Sequence, residues 1–132
     1  MDDGSGLSFI TRDGFLLVRF TGSYSTYEQS LAVLRLIADK CRSVSSTGLL
    51  IDASEMTGQI LSVDRFRMML TLARMLPPHV RVAVLVNRES HFPDYLLETI
   101  LRKYGIEGAE FTHRDDAIAW LNDQRSPAQT AV

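Results

Sequence analysis

Three short stretches hold most of the side chains able to act on a ligand: Asp52-Ala53-Ser54, Asn87-Arg88-Glu89-Ser90-His91 and Thr112-His113-Arg114. They supply two carboxylates, hydroxyls, an amide, two imidazoles and two guanidinium groups. Those groups serve acyl transfer, metal binding or polar recognition, depending on how they are brought together. A triad can be written as Ser54, His91 and Asp52. Asp52 and Ser54 share one loop, however, and the Gly-x-Ser-x-Gly elbow that would present the nucleophile is missing. His91 and His113 would make two metal ligands, but no third follows at a defined spacing. Asp52 ends an apolar run as a phosphoryl-accepting aspartate would. The acidic pair and the lysine of such a site are absent, since the only lysines, Lys40 and Lys103, fall in helical segments. The expectation is a polar ligand-contacting rim of Asp52, Ser54, Asn87, Arg88, His91 and His113, with no catalytic residue, no metal and no cofactor.

Strands must deliver these groups to one place. Gly48–Asp52 and Arg81–Asn87 are apolar at successive positions, which is how strands read when helices cover both faces of a parallel sheet. A hairpin precedes them: Leu7–Thr11, a turn at Arg12-Asp13-Gly14, then Phe15–Thr21. The first helix opens on the capping box Ser25-Thr26-Tyr27-Glu28 and should bury Tyr27, Leu31, Leu34, Ala38 and Cys41. Ser62 should cap a second helix, Val63–Leu76, which Pro77-Pro78 stops. A third runs from near Pro93-Asp94 to Gly105 with the stripe Leu96, Leu97, Ile100, Leu101 and Tyr104. Arg102 and Lys103 in its last turn complement the helix dipole. A fifth strand, Ala109–Thr112, leads to a last helix whose Ala117, Trp120 and Leu121 face inward.

This order predicts an α/β domain: a mixed, mostly parallel five-stranded sheet, with an N-terminal β-hairpin and then βα units winding in one direction. One domain should span residues 7–123, between disordered ends at 1–6 and 124–132. The carboxyl ends of the parallel strands then carry all three polar stretches to a single rim, the usual ligand site of open α/β sheets.

The second helix is more apolar than such a position requires. Phe66, Met68, Met69, Leu70, Leu72, Ala73, Met75 and Leu76 cover an arc of roughly 220°, where about 100° suffices to face a sheet. Met68, Leu72 and Met75 are surplus. Methionine adapts to irregular partners, and exposed apolar patches tend to be interfaces, so these three mark a candidate contact for a protein partner or a second copy. Cover from neighbouring helices or the Pro77-Pro78 loop is the competing explanation.

Composition removes several classes. With a net charge of −2 over 132 residues, no field draws nucleic acid or an acidic membrane. Hydrophobic content of 45% and charged content of 23% are those of a globular protein. Cys41 is the only cysteine, so an internal disulfide is impossible, as suits a reducing cytoplasm. Met1-Asp2-Asp3-Gly4-Ser5-Gly6 lacks the basic start and apolar stretch of a secretory leader, and no run approaches membrane-span length. A cytoplasmic protein is expected.

Two hairpin strands followed by alternating helix and strand resemble the SpoIIAA-like, or STAS, fold. Ala83-Val84-Leu85-Val86-Asn87, then Phe111 and Ala117-Ile118-Ala119-Trp120-Leu121, are similar to the branch grouped with STAS/SEC14 proteins. Leu49-Leu50-Ile51-Asp52 followed by Gly58 is similar to its central strand and loop. The resemblance spans Leu7 to Leu121. It implies a non-enzymatic regulatory module that binds a protein partner, as anti-sigma-factor antagonists do. Its SEC14 side implies, alternatively, a carrier of a small apolar ligand or lipid. A hydrolytic enzyme at the rim is a third reading. In the antagonists a serine within Asp-Ser-Ser-Gly is phosphorylated where the second helix begins, and Ser62 falls at that place. Its neighbours here are Ile60, Leu61 and Val63, so the motif's aspartate and glycine are missing and the switch is not carried over.

Overall fold

In a computed structural model the chain is described at residues 7–12, 14–20, 27–44, 47–55, 62–77, 80–87 and 96–123, with backbone alone at Gln29, Ser62, Val63, Arg65, Leu96 and Leu97. The elements follow as β1 (Leu7–Arg12), β2 (Phe15–Phe20), α1 (Tyr27–Val44), β3 (Gly48–Asp52), α2 (Ser62–Met75), β4 (Arg81–Leu85), α3 (Leu96–Lys103), β5 (Glu107–Phe111) and α4 (Arg114–Asn122). The strands form one sheet in the order β1-β2-β3-β4-β5. β1 and β2 are antiparallel, and each later pair is parallel. The hairpin closes with Arg12 opposite Phe15, and Gly14 in the turn has φ 85°.

The doubly apolar strands divide two cores between them. Leu16, Val18, Leu49, Ile51, Val82 and Val84 point to the face carrying α1, α2 and α3, whose Ile37, Cys41, Leu72, Ile100 and Leu101 complete the larger cluster. Phe15, Leu17, Leu50, Ala83 and Leu85 point to the other face, where Ala117 and Leu121 of α4 cover them. Helices on both faces are therefore the arrangement found, three against one.

Some details depart from the sequence expectations. The buried stripe of α1 is Ser30, Val33, Leu34, Ile37, Ala38 and Cys41, while Tyr27 and Leu31 are half-buried. The stripe can turn toward Ser30 because the Ser30 hydroxyl donates to the Tyr27 carbonyl at 2.6 Å. The strand β4 ends at Leu85, although Val86 stays buried and its N–H donates to the Phe111 carbonyl at 2.9 Å. The strand β5 begins earlier, at Glu107, because α3 closes sharply: Gly105 (φ 76°) donates to the Arg102 carbonyl and Ile106 to the Leu101 carbonyl. This pair of bonds turns the chain straight into the sheet.

Gly108 fixes how close α3 lies. It pairs with Val82 and faces the larger core, and a Cβ there would stand 2.0 Å from Leu101 Cδ1 and 3.3 Å from the Val82 carbonyl. Leu101 occupies the space a side chain would need. The Ser25 end of the expected capping box lies outside the described residues, as do 1–6 and 124–132.

Candidate functional site

Register brings the rim residues together. Arg19, Asp52, Leu85 and Phe111 lie in one row across β2, β3, β4 and β5. Leu85 points to the α4 face, so the row does too, and α4 begins beside it. The Asp52 carboxylate is 5% exposed. Its Oδ1 accepts the Ser54 N–H at 3.1 Å and the Ser54 hydroxyl at 2.6 Å, so the loop after β3 folds back on its own aspartate. Its Oδ2 lies 3.6 Å from Arg114 Nη2 in the first turn of α4.

Arg19, next in the row, pairs with Glu55 through Nε at 2.9 Å and through Nη2. The hydrogen bond and charge of Glu55, with a smaller contribution from Asp52, raise the affinity of the Arg19 guanidinium for its proton. The rim thus alternates in sign: Glu55, Arg19, Asp52, Arg114. Each carboxylate meets a guanidinium, and a buried aspartate is tolerated only with such partners.

Of the expected rim residues, Asp52 and Ser54 meet directly, and Asn87 is half-buried just beyond β4. His113 joins by position only. It is the N-cap residue of α4, its carbonyl accepts the Ala117 N–H at 3.2 Å, and its exposed ring turns to the Thr112 hydroxyl. Arg88 and His91 lie outside the described residues. Arg19 and Glu55 are the participants that sequence reasoning left out of the site, and Arg114, which stood in the third polar stretch, was not among the six residues expected to contact a ligand. The one signal for Arg19 was a charge interrupting the apolar run Phe15–Phe20; its partner depends on the β2–β3 register, which the sequence does not display.

The polar groups of the rim engage one another. The Ser54 hydroxyl donates to Asp52, and Asp52 in turn faces Arg114. Among the described residues no group of three His, Cys, Asp or Glu side chains could hold a metal ion. Cys41 is fully buried, and burial pushes its thiol up to about 11, with Arg42 opposing, so it stays protonated.

The second helix packs between α1 and α3, and that corrects one expectation. Leu72 is fully buried in the larger core and belongs to no exposed flank, because it projects with Met69 and Leu76 onto the sheet. Met68 and Met75 are half-buried against the same core. The outer side of α2 is a ridge of arginine on tyrosine. Arg67 lies over the Tyr27 ring at 4.1 Å, Tyr27 shares a hydrogen bond with Thr71 at 2.8 Å, and Arg74 lies over Tyr104 at 5.7 Å. Ser62 is the first residue of α2; its side chain lies outside the described residues.

No protein-family model matches this chain, and no curated protein matches it. Among solved structures it resembles an anti-sigma factor antagonist from Mycobacterium paratuberculosis. The match has TM-score 0.63 and 15% identity, over 93% of this chain and 100% of that one. An uncharacterized protein from Shewanella loihica, of the DUF3478 family with a SpoIIAA-like fold, gives TM-score 0.47 and 17% identity over 87% of this chain and 91% of that one. The first match extends over most of this chain. With the sheet order and the helices packed on it, the fold is the SpoIIAA-like, or STAS, fold that the sequence resembles. Among the described residues no helix is long and apolar enough to cross a membrane.

Proposed function

We propose that this STAS-like chain is a non-enzymatic regulatory module that binds a protein partner through the outer ridge of α2 and the adjoining strand-end rim. The observation that carries the reading is the ridge itself. Arginine, tyrosine and methionine are the residues enriched at protein interfaces, and here Arg67 and Arg74 are already stacked on Tyr27 and Tyr104 with Met68 and Met75 beside them. Stacked guanidinium groups lose less freedom on docking than mobile ones, so the surface is organised before a partner arrives. The rim supports the same reading, since its charges are matched in pairs and serve to hold the loop after β3 and α4 in place.

The test is affinity purification of the tagged chain from its source cells, followed by the double substitution Arg67→Glu and Arg74→Glu. Both side chains are exposed, so the fold should survive, as a circular dichroism melt would verify. The expected result is one protein partner in stoichiometric amount, lost at least tenfold in the double variant and retained by the control Arg35→Glu on the outside of α1. Retention unchanged in the double variant would sink the proposal. A co-purifying lipid in place of a protein would instead favour the carrier reading.

A further inference from the structure

A second surface lies at the opposite end of the sheet from the rim, where α3 turns into β5. An open groove of about 570 Å³ is lined there by Glu98, Arg102, Ile106, Gly108, Ala109 and Trp120 among others. β5 is the edge strand, so one side of its backbone has no neighbouring strand among the described residues.

Parallel pairing sends the peptide groups of successive residues to alternate sides. Phe111 faces β4, since its carbonyl accepts the Val86 N–H at 2.9 Å. Glu110 faces outward, where its N–H donates to Glu98 Oε1 at 3.2 Å. Gly108, two residues earlier, shares that outward direction. Its N–H and carbonyl open into the groove, with no partner for the N–H among the described residues.

Donors and acceptors in the groove are unevenly used. Both carboxylates are engaged: Glu98 accepts the Glu110 N–H, and Glu107 accepts Arg81 Nε at 2.9 Å. The donors are not. The exposed Arg102 guanidinium and the Trp120 indole N–H have no partner among the described residues. Trp120 is held in place by Arg81 over its ring at 4.1 Å and Phe111 at 5.7 Å. A groove with spare donors, an unpaired strand edge and an indole wall matches an occupant rich in acceptors and able to run as a strand.

We propose that this groove binds an extended, acidic peptide segment of a protein partner, which adds a short strand to the outer edge of β5. The Gly108 peptide group supplies the backbone bonds. Arg102 takes a carboxylate of the segment, and Trp120 takes an apolar side chain. Strand addition combines backbone bonding with alternate side-chain pockets in just this way. The contact is short, because Glu98 already occupies the Glu110 N–H, so binding is weak and reversible. The surface is separate from the α2 ridge, and either can fail without the other.

The experiment uses a display library of random linear nonapeptides panned against the full chain, with amide chemical shifts mapping the winners. Enriched peptides should carry an acidic residue among β-branched or aromatic ones, and should shift the Gly108 and Ala109 amides and the Trp120 indole. Arg102→Glu, on the helix surface, should weaken them at least tenfold and select basic residues in their place. Three results would overturn the proposal: no enrichment, enriched peptides that shift α2 or rim residues only, or shifts at Gly108 that appear on concentrating the chain alone, which would make a second copy the occupant.

Discussion

Replacing Gly108 with alanine tests whether α3 is seated by the missing side chain. The new Cβ would stand 2.0 Å from Leu101 Cδ1, where carbon atoms in contact rest about 3.5–4.0 Å apart. The leucine tip would have to retreat by about 1.5 Å or more. Leu101 is fully buried within the larger core, so it has no open space to enter. The strand cannot yield either, because the Val82 carbonyl lies 3.3 Å from the same Cβ and belongs to the sheet. Overpacking of this kind costs about 1–3 kcal/mol. Against it stands the gain of about 0.4–1 kcal/mol from a less flexible unfolded chain. Gly108→Ala should therefore lose about 1–2 kcal/mol net.

Urea unfolding followed by fluorescence reads this directly, since Trp120 is the only tryptophan and sits in the α4 contact. For a slope of about 2 kcal/mol per M the midpoint should fall by roughly 0.5–1 M. A double-mutant cycle with Leu101→Ala isolates the seam. The single Leu101→Ala change opens a cavity and costs about 2–5 kcal/mol. Paired with Gly108→Ala, the added methyl group enters that cavity, and the combined loss should fall short of the sum by about 1 kcal/mol or more. Wild-type stability in Gly108→Ala, or additivity within about 0.5 kcal/mol, would refute the reasoning.

Other outcomes follow from the same geometry. Asp52→Asn should lower stability by about 1–3 kcal/mol in the same urea assay, because it leaves Arg114 and Arg19 facing an amide at a buried position. Arg114→Ala removes a side chain that is itself 46% exposed but leaves the buried Asp52 carboxylate without that guanidinium, so it should cost about 1–3 kcal/mol. Cys41 sets a pH dependence. Its thiol is raised from 9.0 to about 11, so its contribution is intact below pH 9 and is lost as pH rises to about 11, while the unfolded chain releases its proton first. Stability curves from pH 8 to 11 should fall less steeply for Cys41→Ala than for the parent. A thiol reagent at pH 8 should label the native chain far more slowly than the urea-unfolded chain.

What the sequence displays and what it hides divide along a physical line. Strands such as Leu49–Asp52 are covered on both faces, so their apolar runs need no knowledge of neighbours, and the Asp13-Gly14 turn is a local signal. The resemblance at Ala117–Leu121 places α4 for the same reason: Ala117 and Leu121 are buried wherever that helix docks. The candidate site depends on pairings between distant residues. Arg19 meets Glu55, and Arg114 meets Asp52, only after β2 and β3 take their register and α4 crosses the far face. The apolar excess of α2 was legible as a count. Its meaning was not, because the tyrosines that engage Arg67 and Arg74 come from α1 and from the residue that follows α3.

Chain order and spatial order coincide across this sheet, with each strand beside the one made just before it. A chain emerging from the ribosome, at about 5–20 residues per second, can therefore lay the sheet down in sequence without leaving a slot for a later strand. The larger core grows with each helix as it appears. The smaller one has to wait. Until Arg114–Asn122 is made, the face bearing Phe15, Leu17, Leu50, Ala83 and Leu85 is uncovered by its helix, and among the described residues it closes only after all five strands have been made. α4 is thus the natural site for chaperone dependence. Truncations before Arg114 should accumulate as aggregates even though every strand of the sheet is present.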